Sequence, residues 1–242
     1  MAIIDLRSIL DLAWPRSCFG CGTALTNRNG FLHICQNCLR RIDFILPPFC
    51  HRCGCPHFEE NRHAVGCGAC AGRDFAFLSC RSLFELRDVG RRLVHELKFR
   101  AGHHLLPDIG RMVAEFCPEL AGKILVPVPL HWRRRWLRGF NQSMCISQAL
   151  AKELHCRVCP LLRRVRHTRT QVGLSQQQRR SNVVGAFSIN PSAIKKNCIA
   201  REEELILVDD VFTTGSTLHA CAEALAAEGG FVRIRAFTLA RA

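Results

Sequence analysis

Eight cysteines fall into four Cys-x-x-Cys pairs: Cys18 with Cys21, Cys35 with Cys38, Cys50 with Cys53, and Cys67 with Cys70. Thirteen residues separate the first pair from the second, and thirteen separate the third from the fourth, so the unit repeats. A Cys-x-x-Cys turn holds two thiolates about 3.7 Å apart on one side of a knuckle. Two knuckles joined by a short hairpin close a tetrahedron around Zn²⁺. A redox pair would occur once and beside a βαβ pattern, whereas four pairs occur here with none nearby. The pattern therefore predicts two structural zinc sites, and the even repeat favours neighbouring pairs as partners. Cys55 is a spare thiol, and His33, His51, His57 and His63 read as bystanders. So short a segment carries little apolar core, so the metal supplies most of its folding free energy. Chelation is expected to melt it and leave the rest of the chain folded.

The second chemical stretch is Leu205-Ile206-Leu207-Val208-Asp209-Asp210-Val211-Phe212-Thr213-Thr214-Gly215-Ser216-Thr217. Four apolar residues run into two carboxylates and then into a small, hydroxyl-rich turn, which reads as a buried strand ending at a phosphate-binding loop. Backbone N–H groups of a turn that opens a helix converge on one spot, where the helix dipole also favours an anion. Gly215 lets backbone come close, and Thr213, Thr214, Ser216 and Thr217 add hydroxyl donors without bulk. Asp209 and Asp210 lie where ligands of open α/β sheets bind and can accept hydrogen bonds from a vicinal diol. One phosphate plus one diol describes a ribose 5-phosphate. No Lys precedes the hydroxyls and no glycine triplet is present, so this is neither a Walker loop nor a dinucleotide fingerprint.

These residues need elements to hold them. Leu218, Cys221, Ala222, Leu225 and Ala226 have helical spacing after Thr217, Gly229-Gly230 ends that run, and Phe231 to Leu239 is the next strand candidate, which makes a βαβ unit. Upstream, Ser82 to Leu86 reads as a strand, Val89 to Phe99 as a basic amphipathic helix leading to Lys98 and Arg100, and His104 to Phe116 as a second helix with His103 and His104 at a solvated start. Lys123 to Pro129 is another buried strand; its alternate prolines cannot donate in a ladder, so it must end among them. The loop that follows holds His131, Arg133, Arg134, Arg135 and Arg138, then a helix runs to about Leu154. Such a loop can offer a pyrophosphate several donors, or serve as a basic turn or a nucleic-acid face. Strands at Leu161 to Val165 and Gly185 to Ile189 bracket a polar, arginine-rich segment with Gln171, Arg179 and Arg180, which reads as a lid or as plain disorder. Residues 190–201 read as a surface linker.

Composition sets bounds. The 242 residues carry a formal charge of +14; two four-thiolate zinc sites, each a net −2, would bring it to about +10. Residues 131–180 hold 12 Arg or Lys against one acid, Glu153, and 29 of the 34 basic residues are Arg, which suits phosphate. Ten of the 16 cysteines precede residue 81, which argues for two parts. No stretch approaches the roughly 18 apolar residues of a membrane span. The N-terminal Ile3 to Leu12 segment, with Asp5 and Asp11 and no basic start, is a poor signal peptide and reads as a short amphipathic helix. The cytoplasm is the expected location, where paired cysteines mean metal before disulfide.

The Asp209 stretch resembles the phosphoribosyl diphosphate (PRPP) motif of type I phosphoribosyltransferases. That resemblance implies Asp209 and Asp210 on the ribose hydroxyls in the catalytic site, Thr213, Thr214, Gly215, Ser216 and Thr217 around the 5-phosphate, and Mg²⁺ on ribose and pyrophosphate oxygens. The loop with Arg133, Arg134 and Arg138, together with Lys98, is similar to a pyrophosphate site, with nucleic acid as the rival ligand. The four cysteine pairs, Leu97-Lys98-Phe99, Arg138-Gly139-Phe140-Asn141-Gln142, Gln171-x-Gly-Leu-Ser175, Arg180-x-Asn182-x-x-Gly-Ala-Phe187 and the Asp209 loop together resemble the ComF family from end to end. The resemblance implies a double zinc ribbon at residues 1–78 and an α/β, type I phosphoribosyltransferase-like (Rossmann-like, mainly parallel) domain at 79–242. It also implies a link to natural competence and external DNA. The partners expected are PRPP, single-stranded DNA and DNA-import machinery; the alternative to an enzyme is a single-stranded DNA-binding accessory reusing the fold.

Overall fold

The computed structural model describes residues 16–25, 30–56, 67–98, 100–130, 139–166, 185–197 and 199–242. Five strands form one parallel sheet: β1 (Cys80–Glu85), β2 (Ile124–Pro127), β3 (Arg157–Val158), β6 (Leu205–Phe212) and β7 (Ile234–Arg241), in the order β1-β7-β6-β2-β3. A separate antiparallel pair joins β4 (Leu162–Arg164) to β5 (Phe187–Ile189). The helices are α1 (Gln36–Leu39), α2 (Asp88–Leu97), α3 (Leu106–Phe116), α4 (Gln142–Leu154), α5 (Pro191–Asn197) and α6 (Ser216–Ala227).

Parallel strands must be covered on both faces, and β6 carries apolar residues to each. Leu205 and Leu207 join a buried cluster with Leu218, Cys221 and Leu225 of α6; Ile206 and Val208 join another with Ile146 and Leu150 of α4 and Leu93 of α2. Helices α4 and α6 therefore lie on opposite faces. The chain leaves β2 through α4 towards β3, and leaves β6 through α6 towards β7, so the winding reverses between these adjacent strands. The carboxyl ends of β2 and β6 flank the crevice where open α/β sheets bind ligands.

Four expectations need correction. The strand reading stopped at the carboxylates, yet β6 continues to Phe212, because the ladder with β7 persists through Asp209 opposite Thr238, Val211 opposite Ala240 and Phe212 opposite Arg241. Within the stretch read as a surface linker, Pro191–Asn197 is a helix that starts with proline, where a missing N–H costs nothing, while Ala193 and Ile199 are buried. On α6 it is Ala224, not Ala226, that is buried. The helix expected from His104 begins at Leu106 after a 3₁₀ turn, Arg100–Leu105; His104 is exposed, but His103 is half-buried against Phe140, with ring centroids 4.3 Å apart. The expected N-terminal helix over Ile3 to Leu12 lies outside the described residues.

The cysteine-rich segment is built onto the sheet. Ile45 N–H donates to Leu83 O at 3.0 Å and Glu85 N–H to Asp43 O at 2.9 Å, so residues 43–45 cover the free edge of β1. Buried Asp108 of α3 accepts from the amides of Leu32 and His33, both at 2.7 Å. Cys50, Cys53 and Cys70 share one buried cluster with Ile124, Leu207 and Phe212. Among the described residues, no helix is long and apolar enough to cross a membrane.

Candidate functional site: a two-lobed cleft beside paired cysteine clusters

Two groups of four thiols form, each from neighbouring pairs: Cys18, Cys21, Cys35 and Cys38, and Cys50, Cys53, Cys67 and Cys70, with sulfurs all within 4.8 Å of one another. Sulfur separations of 3.7 Å (Cys21 to Cys35), 3.8 Å (Cys50 to Cys70) and 3.6 Å (Cys53 to Cys67) match the edges, about 3.8 Å, of a tetrahedron with Zn–S near 2.3 Å. Cys35 N–H points at Cys18 Sγ (3.3 Å) and Cys38 N–H at Cys35 Sγ (3.4 Å), the outer contacts that orient thiolates on a metal. The donor chemistry and spacing fit zinc at both. The half-buried Cys55 packs beside the second group without joining it. His33 sits edge-on to His104 and His51 is exposed, while His57 and His63 lie outside the described residues.

After Phe212 the chain turns through exposed Thr213 and half-buried Thr214 into Gly215, which caps α6 at φ +76° without offering a side chain to the first amides. Thr214 and Ser216 hydroxyls lie 2.8 Å apart. Gly215 is needed here twice over. Its φ favours glycine, and a Cβ would stand 2.8 Å from Phe75 Cε1 and 2.9 Å from Phe212 Cζ. The turn bounds a hollow of about 270 Å³ lined by Lys98, Asp209 and residues 211–218. Lys98, grouped by charge with the arginines of the 131–138 loop, lines the same hollow as the turn.

Asp209 and Thr217 also line a second hollow, about 130 Å³, whose other walls are Val128 to Leu130, Asn141 to Ser143, Arg164 and Asp210. Asn141 caps α4: its side chain accepts from Ser143 N–H at 3.2 Å and donates to Val128 O at 3.0 Å. Ser143 Oγ and Asp210 N–H both donate to Asp209 Oδ1 at 3.0 Å. Burial, and next the charge of Asp210, push the Asp209 carboxyl up to about 7 against those bonds and the Arg164 guanidinium. A carboxyl so placed is poised to lose its proton when a cation or a polyol arrives.

Arg133, Arg134 and Arg138 lie outside the described residues, as do Gln171, Arg179 and Arg180. The flanks of both segments are at the cleft: Leu130 and Asn141 line it for the first, and Arg164 of β4 for the second. Arg164 itself escaped the sequence reading, because one arginine among Arg163, Arg164 and Arg166 carries no signal until strand pairing decides which one faces the cleft. The wall from the cysteine-rich segment was also missed. Arg73 Nη1 reaches Thr214 O at 3.5 Å, Ala76 N–H donates to His219 Nδ1 at 3.0 Å, and Phe75 lies under Gly215.

Residues 9–71 match the family model of the double zinc ribbon domain. The chain is 32% identical over 226 residues to competence protein F of Haemophilus influenzae, covering 88% of this chain and 94% of that protein. The chain belongs to the ComF family. ComF relatives also include the DNA utilization protein YhgH of Escherichia coli K12, 30% identical over 90% of this chain and 94% of its own length. Competence protein ComFC of Bacillus subtilis is 27% identical over 86% and 84%. These ComF proteins are named for competence and DNA utilisation, and the cysteine groups of this chain are those of the family's double zinc ribbon.

Proposed function

We propose that the cleft is a PRPP-binding, phosphoribosyltransferase-type site on a type I phosphoribosyltransferase-like domain, residues 79–242, in a cytoplasmic protein that serves the use of external DNA. One observation carries this reading: Asp209 and Thr217 line both hollows, so one ligand can span them. A 5-phosphate sits against Thr213 to Thr217, the ribose hydroxyls on Asp209 and Asp210, and the diphosphate beyond them. Lys98, Arg133, Arg134 and Arg138 supply countercharge, and the segment with Gln171, Arg179 and Arg180 acts as a lid that excludes water from the cation-like ribosyl centre. Adjacent carboxylates, one held up by burial and next by the other's charge, suit the oxygen-seeking Mg²⁺, which would supply positive charge against the pyrophosphate when bound. Departure of pyrophosphate needs charge neutralisation and placement more than a protein nucleophile, and losing one preorganised donor to it raises the barrier by about 2.7–4 kcal/mol.

The names of the relatives favour a second reading, a single-stranded DNA-binding accessory of DNA import. With about six phosphates neutralised, its affinity would fall with salt at a log–log slope of roughly −4. Calorimetric titration of PRPP with Mg²⁺ against wild type and the Asp209→Asn/Asp210→Asn variant separates the readings. Binding lost in the variant supports the sugar-phosphate site; a wild type that ignores millimolar PRPP yet binds DNA with that salt slope leaves only the accessory role.

A further inference from the structure

Gln142 is the first residue of α4, a thirteen-residue helix whose N-terminus opens into the smaller hollow. Its side chain is 5% exposed and lines that hollow, yet among the described residues its Nε2 amide nitrogen has no hydrogen-bond partner. The neighbours are already engaged. Asn141 is spent on Ser143 N–H and on Val128 O, and Ser143 Oγ on Asp209 Oδ1. A buried donor without an acceptor opposes folding until an acceptor binds, and a helix N-terminus beside it already favours negative charge. Asp209 and Asp210 supply anionic oxygens to this hollow, but neither accepts from Gln142.

We propose that Gln142 is a specificity residue: its carboxamide donates to an oxygen of the ligand's diphosphate arm, and so separates a ribose that bears a diphosphate at C1 from ribose 5-phosphate alone. This rests on the PRPP reading above and assigns one residue within it. An arginine acts as a charge on whatever anion enters; a neutral amide at a fixed place instead requires an acceptor oxygen at hydrogen-bond distance.

The test uses the full zinc-loaded chain and two ligands, PRPP with Mg²⁺ and ribose 5-phosphate, on wild type, Gln142→Leu and Gln142→Glu, read by calorimetry together with the melting temperature. Wild type is expected to bind PRPP more tightly than ribose 5-phosphate. Gln142→Leu should lose about 10- to 100-fold in PRPP affinity, leave ribose 5-phosphate within about twofold, and melt no lower than wild type, since it removes an unpartnered buried donor. Gln142→Glu, of the same shape but bearing a carboxylate, should lose at least as much. The proposal is overturned if wild type binds both ligands equally, if Gln142→Leu keeps its preference for PRPP, or if both affinities and the melting temperature fall together, as for a residue that only holds the fold. Any of these leaves the PRPP reading standing on ribose 5-phosphate binding; a wild type that binds neither ligand removes both.

Discussion

Arg241, the last residue of β7, donates from Nη1 to the carbonyl of Cys53 at 2.6 Å, and its Nη2 lies 3.6 Å from Cys53 Sγ. The same guanidinium covers the Phe212 ring, 4.7 Å from its centroid, at the end of the strand that carries Asp209 and Asp210. One side chain, 9% exposed, thus joins a metal-type cysteine group to the strand of the cleft. A donor to a ligating sulfur orients it and tunes its hold on metal, and removing such an outer contact typically weakens metal affinity 10- to 100-fold. Arg241→Leu is expected to release one zinc equivalent to a competing chromophoric chelator at correspondingly lower chelator concentration, with the other equivalent unchanged. Two unaltered equivalents would show that the contact does not reach the metal.

The contacts between the cysteine-rich segment and the sheet predict a wider effect of chelation than the loss of that segment alone. Residues 43–45 cover β1, Asp108 holds the amides of Leu32 and His33, and Cys50, Cys53 and Cys70 share a buried cluster with β2 and β6. Without metal the segment loses the free energy that organises it, and the sheet loses an edge cover and a wall. Stripping zinc should therefore lower the melting temperature of the sheet domain as well, monitored by far-ultraviolet circular dichroism. A C-terminal part that melts unchanged after chelation would make the two parts energetically independent.

Gly215→Ala meets both a left-handed backbone and two aromatic rings within 3 Å. Strain at φ +76° and overpacking against Phe75 and Phe212 are each of the order of 1–3 kcal/mol, so a destabilisation of at least ~1 kcal/mol is expected in urea unfolding. Phosphate affinity should fall with it, because relieving the clash moves the first turn of α6. Phe75→Ala in the same background removes one clashing ring and should recover part of the loss; no recovery would mean that Phe75 does not support the turn.

Asp209 gives the ligand-free protein a pH signature. Its carboxyl is raised from 3.8 to about 7, so the folded state holds a proton that the unfolded chain has already released. That stabilisation is complete below about pH 4 and is lost as pH climbs through about 7. Urea midpoints should fall across this window in wild type and flatten in Asp209→Asn, whose amide still accepts from Ser143 Oγ. An equally steep fall in the variant would place the proton elsewhere.

The residues at 205–217 and the four Cys-x-x-Cys pairs were legible in the chain because each signal is local: a strand, turn and helix start in thirteen consecutive residues, and thiols at knuckle spacing. The continuous apolar run that opens β6 and the pairing of neighbouring knuckles follow from the same short-range rules. Lys98 could be named for its charge, but nothing in its neighbours said that it would stand beside Thr214. Arg164 and Phe75 carried no local mark, and Gln142 stood in a family-like motif that assigned it no role. Their roles come from contacts between segments far apart in the chain: β4 against the cleft, the second cysteine group against Gly215, and the start of α4 against Asp209. Which residues could hold metal or phosphate is a matter of side-chain type and spacing, and both are visible along the chain. Which of them meet is set on folding, because a parallel sheet joins strands through long crossovers whose register and order follow from burial on both faces.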